Sequence, residues 1–283
     1  MFVSRFVQAL LACLFLSDSA QAAPRVVVSI APVHSIVASV MNGVGKPQLL
    51  LGKNISPHEF ALKPSQARML QNADLVIWVG PAMETPLEAP LAVLAKKASI
   101  LPLMEGVYGA DHDARDAHIW LDPQNATLMA DLIAVKLAGL DREHEAQYLD
   151  NAKQFKQTTS ALEQQIATTL KPVRQRPFMA FHDAFAPFAR RFDLMAVGAV
   201  RINHAVKPGA GAIRRLRKEI AEKQIACLTG EYGEENPLIA TLLEGTNTKT
   251  VALDPLGARF EPGAELYSRT MEKLADDLAR CLK

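Results

Sequence analysis

A stretch without proline or glycine, from Arg142 to Leu170, constrains the fold of this chain more than any other feature. Large apolar side chains recur along it at spacings of seven and four residues: Tyr148, Phe155, Leu162, Ile166 and Leu170. That spacing predicts one helix with an apolar stripe. At about 1.5 Å per residue the helix would reach roughly 43 Å, about the length of a two-domain molecule. Lys171-Pro172 should end it, because a proline disfavours the helical conformation in the residue before it.

Strand-like and helix-like runs alternate on both sides of this stretch. On the amino-terminal side the strand-like runs are Arg25 to Ile30, Gln48 to Leu51, Asp74 to Val79 and Ser99 to Leu103. On the carboxy-terminal side they are Phe178 to Phe181, Leu194 to Val200, Ile225 to Leu228 and Thr248 to Leu253. Such alternation is typical of parallel sheets covered by helices. The sequence therefore predicts two α/β domains with mainly parallel sheets, over residues 23–141 and 172–283, joined by one long backbone helix over 142–171.

The first residues have the form of a removable signal peptide, predicted over residues 1–22. Arg5 precedes an apolar run from Phe6 to Leu16, and Ala20-Gln21-Ala22 has the small-x-small form of a cleavage site. The run is about 11 residues long, too short for a membrane span of about 20. We expect a soluble periplasmic protein that begins at Ala23. Lipid anchoring at Cys13 is the alternative, because Leu10-Leu11-Ala12-Cys13 resembles a lipoprotein cleavage box.

Charge and cysteine content narrow the class of protein further. The formal net charge is +1, which argues against nucleic acid as the main partner. Once Cys13 has left with the signal, Cys227 and Cys281 remain. Two cysteines in an exported chain predict a disulfide bond. Two buried free thiols are the alternative.

Three histidines lie just beyond apolar runs: His58 in Ser56-Pro57-His58-Glu59, His118 in Asp116-Ala117-His118-Ile119-Trp120, and His182 in Phe181-His182-Asp183. Asp254 follows the strand-like Val251-Ala252-Leu253. In open parallel sheets ligands bind beyond the carboxyl ends of strands. Neutral imidazoles suit zinc, and three of them with a carboxylate or water complete a tetrahedral shell. We therefore predict one metal site in the inter-domain cleft.

Several motifs make the family resemblance specific. The chain is similar to the zinc-specific solute-binding proteins of ABC transporters in four segments: Ser56-Pro57-His58-Glu59-Phe60-Ala61-Leu62-Lys63-Pro64-Ser65, His118-Ile119-Trp120-Leu121-Asp122-Pro123, Phe181-His182-Asp183-Ala184-Phe185 and Leu253-Asp254-Pro255-Leu256-Gly257. The resemblance covers essentially the whole mature chain. It implies two α/β domains joined by a backbone helix, Zn²⁺ bound in the cleft as the transported ligand, and delivery to a membrane permease. It also implies that His58, His118 and His182 are ligands and that Asp254 is a ligand or its close neighbour. Related manganese binders carry a glutamate where this chain has His182.

Two departures from the family pattern affect the site. Many zinc members carry a long His- and Asp-rich loop, and only Asp111-His112-Asp113 stands in that place. Gly230-Glu231-Tyr232 stands where Glu-Pro-Gln is common. Glu59 and Glu231 are candidates for a fourth ligand or for a neighbour of the ligands, although Glu59 is as readily a solvated carboxylate. His34 and His204 are expected to line the cleft, and His144 to lie on a solvated helix face.

Three other functions compete with zinc transport. The first is a solute-binding protein for manganese or another transition metal. The second is a periplasmic zinc hydrolase, and the third is an adhesin that does not need the metal. A zinc hydrolase often carries His-Glu-x-x-His. Neither His58-Glu59 nor His144-Glu145 is followed by that second histidine. We therefore expect a monomeric carrier and no catalytic residue.

Overall fold

The computed structural model describes residues 23–53, 55–109, 116–201, 209–233 and 236–283. The amino-terminal half contains a parallel sheet of four strands in the order β2-β1-β3-β4. The strands are β1 (Val26–Val28), β2 (Gln48–Leu49), β3 (Leu75–Trp78) and β4 (Ser99–Pro102). Central strands β1 and β3 are buried throughout, which explains their continuous apolar sequence.

The carboxy-terminal half repeats this topology. Its parallel sheet has the order β6-β5-β7-β8. The strands are β5 (Phe178–His182), β6 (Ala196–Arg201), β7 (Cys227–Glu231) and β8 (Lys249–Leu253). The two central strands, β5 and β7, pair directly, and Ala180 lies opposite Thr229. The predicted fold of two α/β halves with parallel sheets is confirmed, while the exact domain boundaries at 23–141 and 172–283 stay a prediction.

Helices cover both sheets. They are α1 (Ala31–Val40), α2 (Pro64–Asn72), α3 (Glu88–Leu94), α4 (Leu103–Tyr108) and α5 (Pro123–Leu140) in the first half, α6 (Glu145–Leu170) between the halves, and α7 (Ala186–Arg191), α8 (Ala210–Glu222), α9 (Pro237–Leu243) and α10 (Leu266–Leu282) in the second. Local sequence explains where several of these helices begin. Pro64 and Pro123 open their helices where a missing N–H costs nothing, and Asp122 caps α5 by accepting the Gln124 N–H at 2.9 Å.

The long joining helix is confirmed with small changes at its ends. Arg142–His144 forms a 3-10 turn before α6, and Lys171–Val173 forms another after it. The whole predicted apolar stripe is buried: Tyr148, Phe155, Leu162, Ile166 and Leu170. These side chains belong to one apolar core that contains residues of both halves. A smaller core lies under α8 and α9, with Met179, Leu228 and Leu242 among its residues.

One local prediction was wrong. Leu103 is not the end of a strand, because β4 ends at Pro102 and Leu103 starts the short helix α4. In a second short segment, Thr85–Leu87 forms a 3-10 turn before α3. Leu103 and Leu87 are both fully buried. Tertiary packing therefore decides their conformation.

The two halves are joined by more than α6. Arg191 of α7 makes a two-pronged ion pair with Asp122, with nitrogen–oxygen distances of 2.7 and 2.9 Å. The Trp120 indole N–H donates to the Pro255 carbonyl at 2.8 Å, and Ser35 Oγ donates to the Ala264 carbonyl at the same distance. These contacts span the two sheets and hold the cleft between them.

A disulfide bond joins Cys227 at the start of β7 to Cys281 near the end of α10. The predicted pairing is confirmed. In the described part of the chain no helix combines the length and apolarity needed to cross a bilayer.

Candidate metal centre

Three histidines from three separate segments meet in the cleft. His58 lies in the loop between β2 and α2, His118 directly precedes the 3-10 turn Ile119–Leu121, and His182 is the last residue of β5. Each offers one ring nitrogen, and these nitrogens all lie within 4.8 Å of one another. The ring centroids are 5.1 to 5.5 Å apart in edge-to-face arrangements. Edge-to-face rings whose nitrogens converge have the arrangement that a single metal ion requires.

A carboxylate fixes the orientation of His182. Its Nδ1 is bonded to Oε1 of Glu231, the last residue of β7. Because β5 and β7 are neighbours in the parallel sheet, their carboxyl ends bring the two side chains together. Because Nδ1 bonds Glu231, Nε2 is the nitrogen that would bind a metal. A carboxylate on the second ring nitrogen is the usual support of a metal-bound histidine.

His118 has the same support from a nearer residue. Oδ1 of Asp116 accepts hydrogen bonds from the backbone N–H of His118 and from its ring Nδ1, both at 2.9 Å. Sequence reasoning did not single out Asp116. The available signal was an aspartate two residues before the histidine, a spacing at which its side chain bonds the local backbone.

The histidines open into a pocket of about 130 Å³. The side chains of His118 and His182 are only 7% and 6% exposed. Around them the wall is largely apolar: Ile55, Pro57, Trp120, Pro255 and Leu256, with Tyr232 and Gly233 beside Glu231. Apolar walls strengthen electrostatic interactions within the pocket because they exclude water.

Asp254, predicted as a ligand or its close neighbour, bonds the backbone that follows its strand, and its role at the metal stays a prediction. Its Oδ1 accepts the Ala258 N–H at 3.0 Å, and its Oδ2 accepts the Arg259 N–H at 2.9 Å. The carboxylate thus closes the turn after β8, and the next two residues, Pro255 and Leu256, form part of the pocket wall. Asp254 is not part of the three-histidine cluster.

The remaining predicted site residues lie elsewhere. Glu59 is exposed. His34 is buried in α1, does not line the pocket, and places Nε2 3.1 Å from the Pro47 carbonyl; burial lowers its pKa. His144, expected on a solvated face, is half-buried and places Nδ1 2.9 Å from Oδ2 of Asp141. His204, Asp111-His112-Asp113 and the segment 1–22 with Cys13 lie outside the described residues.

The donor set has a clear chemical preference. Three imidazole nitrogens suit zinc and its neighbours, whereas manganese and magnesium favour oxygen ligands. The carboxylates of Asp116 and Glu231 do not replace the imidazoles but orient their rings. The arrangement is therefore suited to holding one transition-metal ion through nitrogen.

Comparison with known proteins agrees with this geometry. The sequence model of the family described as "Zinc-uptake complex component A periplasmic" matches residues 26–281. The high-affinity zinc uptake system protein ZnuA of Brucella abortus (strain 2308) is 35% identical over 304 aligned positions, which cover 91% of each chain. A crystal structure of ZnuA aligns with a TM-score of 0.82 over 92% of this chain and 100% of that chain, at 24% identity. The solute-binding protein FpvC of Pseudomonas aeruginosa, in complex with Mn²⁺, aligns with a TM-score of 0.81 at 16% identity over 92% of this chain and 98% of that one. The last two likenesses show the fold.

Proposed function

Because the chain belongs to the family of periplasmic zinc-uptake components, we propose that it captures Zn²⁺ in the periplasm and delivers it to the membrane permease of an ABC importer. The observation that supports this most directly is the convergence of His58, His118 and His182 in the cleft. No two of these histidines share a helix or a strand, so only the folded chain assembles the site. Metal binding should therefore stabilise the fold.

Zinc is the proposed cargo because the three ligands are imidazoles. The fold itself does not decide the metal, since a neighbour of the same fold binds Mn²⁺. Water fills the fourth position in this proposal. Asp254 has both oxygens on backbone amides, and Glu59 is exposed.

A carrier fits this pocket better than a hydrolase. The cavity of about 130 Å³ holds an ion and a few waters but leaves little room for an organic substrate beside the metal. The two carboxylates closest to the histidines, Asp116 and Glu231, are bonded to ligand rings. They therefore support the ligands, whereas a general base would face a metal-bound water.

Location and processing complete the proposal. We propose that the protein acts in the periplasm as a monomer after removal of residues 1–22. The mass of the mature protein tests this, since a lipid-modified Cys13 at the amino terminus would contradict cleavage before Ala23.

Zinc binding is tested on mature protein purified without a metal-affinity tag. We expect one zinc per chain by metal analysis, and displacement of bound Mn²⁺ by equimolar Zn²⁺. His58→Ala, His118→Ala and His182→Ala should each weaken binding while keeping the circular dichroism of the parent. Unchanged affinity in all three variants would contradict the site. Turnover of esters or phosphate esters by the zinc-loaded protein, lost in the same variants, would instead indicate a hydrolase.

A further inference from the structure

The wall of the metal pocket has one exposed side chain. Of the described residues that line the pocket, only Tyr232 and Gly233 are exposed, and Gly233 has no side chain. Tyr232 is 43% exposed. Its ring therefore extends from the pocket to the solvent, while the other lining side chains are buried or half-buried. Within the described wall, this ring is the side chain that lies between the pocket and the solvent.

Tyr232 is held at its backbone and on its ring. Its backbone N–H donates to the Leu253 carbonyl at 2.8 Å, which extends the pairing of β7 with β8 by one residue. The guanidinium carbon of Arg259 lies 4.2 Å from the centre of its ring. Such a cation–π contact is weak at an exposed site. The ring is thus fixed by an interaction weak enough to break during each release.

Arg259 is itself anchored to β8 and α10. One guanidinium N–H donates to the Ala252 carbonyl at 3.0 Å, and Nη1 lies 3.7 Å from Oδ2 of Asp277. Its backbone N–H is held by Asp254. The guanidinium therefore provides a fixed surface, and the Tyr232 ring moves relative to it.

The backbone after Tyr232 suits such a movement. Gly233 has a φ of +85°, a left-handed conformation that glycine adopts without the strain that a side chain would bring. Glu231, on the other side, is bonded to His182 inside the pocket. A rotation of the Tyr232 side chain alone leaves Glu231 and its bond to His182 in place.

We propose that Tyr232, clamped by Arg259, is a gate that sets the rates of zinc entry and release without setting the affinity. This proposal rests on the proposed function and adds a kinetic control to the same site. A gate raises the barrier between the free and bound states and leaves their energies alone. Capture and release must then change by the same factor.

Release is measured by stopped flow, mixing the zinc-loaded protein with excess chelator, and capture by mixing the metal-free protein with Zn²⁺. Tyr232→Ala should speed both about tenfold or more while the affinity stays within about threefold of the parent. Tyr232→Phe is the matched control and should behave as the parent, because the ring and its contact with the guanidinium remain. Arg259→Met should lie between them. Lys273 and Arg280 still pair with Asp277 in that variant, so no carboxylate is left unpaired.

The outcomes separate the gate from the underlying function. A release rate in Tyr232→Ala equal to that of the parent would overturn the gate. Faster release with unchanged capture would also overturn it, because that result would show that Tyr232 stabilises the bound metal. A parent protein that binds no zinc would overturn the proposed function itself. Tyr232→Leu provides a second truncation of the ring, in case the alanine variant does not fold.

Discussion

The two halves of the molecule use the same position in the sheet for different purposes. In each half the two central strands are neighbours, and a carboxylate at or beyond the end of one strand bonds a side chain at or just beyond the end of the other. In the first half Ser29, just after β1, donates to Glu84, which also accepts the Val79 and Gly80 N–H groups. In the second half His182 and Glu231, the last residues of β5 and β7, form the equivalent pair.

Burial and residue type separate a structural pair from a ligand-supporting one. Ser29 and Glu84 are completely buried, and the hydrogen bonds described for them join residues of the first half. His182 is bonded to Glu231 through one ring nitrogen and has a second nitrogen that faces the pocket. Replacing a hydroxyl by an imidazole at this place thus turns an internal hydrogen bond into a metal ligand with its support.

The largest expected effect is the loss of a ligand. His182→Ala removes one of three imidazoles, and we expect the apparent zinc affinity to fall on the order of a thousandfold, or about 4 kcal/mol. The equivalent change in the first half, Ser29→Ala, should leave the affinity unchanged because Ser29 does not reach the pocket. Chelator competition measures both. His144→Gln is the control, since His144 bonds Asp141 outside the pocket. Equal losses of zinc affinity in the Ser29 and His182 variants would contradict the different roles of the two positions.

The second effect concerns the disulfide bond, which only the second half has. Cys227 and Cys281 are 54 residues apart, and the chain-entropy model predicts about 4 kcal/mol of stabilisation for such a loop. Cys281→Ala with Cys227→Ala should lower the free energy of unfolding in urea by about that amount. Zinc affinity should change little, because Cys227 begins β7 while Glu231, at its other end, supports the site.

Reduction of the parent should reproduce the effect of the double variant on stability. An affinity that fell in parallel with stability would contradict the independence of the two ends of β7. It would mean that the disulfide positions Glu231.

The third effect concerns the buried pair of Ser29 and Glu84 in the first half. Burial raises the pKa of Glu84 from 4.5 to about 7, against the opposing hydrogen bonds from Ser29, Gly80 and Val79. The folded state then binds this proton more tightly than the unfolded state. Glu84 should therefore lower the stability as the pH rises from 4.5 to about 7, by roughly 3 kcal/mol. Glu84→Gln should remove this dependence of the stability on pH. Urea unfolding of parent and variant across this pH range measures the difference, and parallel curves would contradict it.

Much of this architecture follows from local sequence. The stripe from Tyr148 to Leu170 predicts α6, and the strand-like runs around Val26 and Leu75 predict strands of a parallel sheet. Each signal is a local pattern that the chain carries without help from distant residues. The three histidines are also predicted from short motifs, which lie just beyond apolar runs.

The support of His182 did not follow from local sequence. The bond between Glu231 and His182 depends on β5 and β7 being neighbours, which no spacing in the sequence reveals. Asp254 is predicted as a ligand or its close neighbour because it follows β8 and matches the family motif. Its carboxylate also bonds the turn after that strand, a contact that the loop conformation decides. Side-chain direction at a strand end is thus decided by the backbone that follows.

The smallest expected effect on zinc affinity comes from changing a single group of the carboxylate in each pair. Glu231→Gln keeps the size of the side chain, but its amide is a weaker acceptor for the His182 N–H. Loss of such a support typically costs 10–100-fold in metal affinity, and we expect about tenfold here. Glu84→Gln makes the same change in the carboxylate of the first-half pair, outside the pocket, and should leave the affinity unchanged. Chelator competition compares the two variants, and the absorption spectrum of bound Co²⁺ adds a readout that a loss of stability would not change. A Co²⁺ spectrum identical to that of the parent, with unchanged affinity, would show that Glu231 is only a structural partner of His182. The two halves would then differ in the histidine alone.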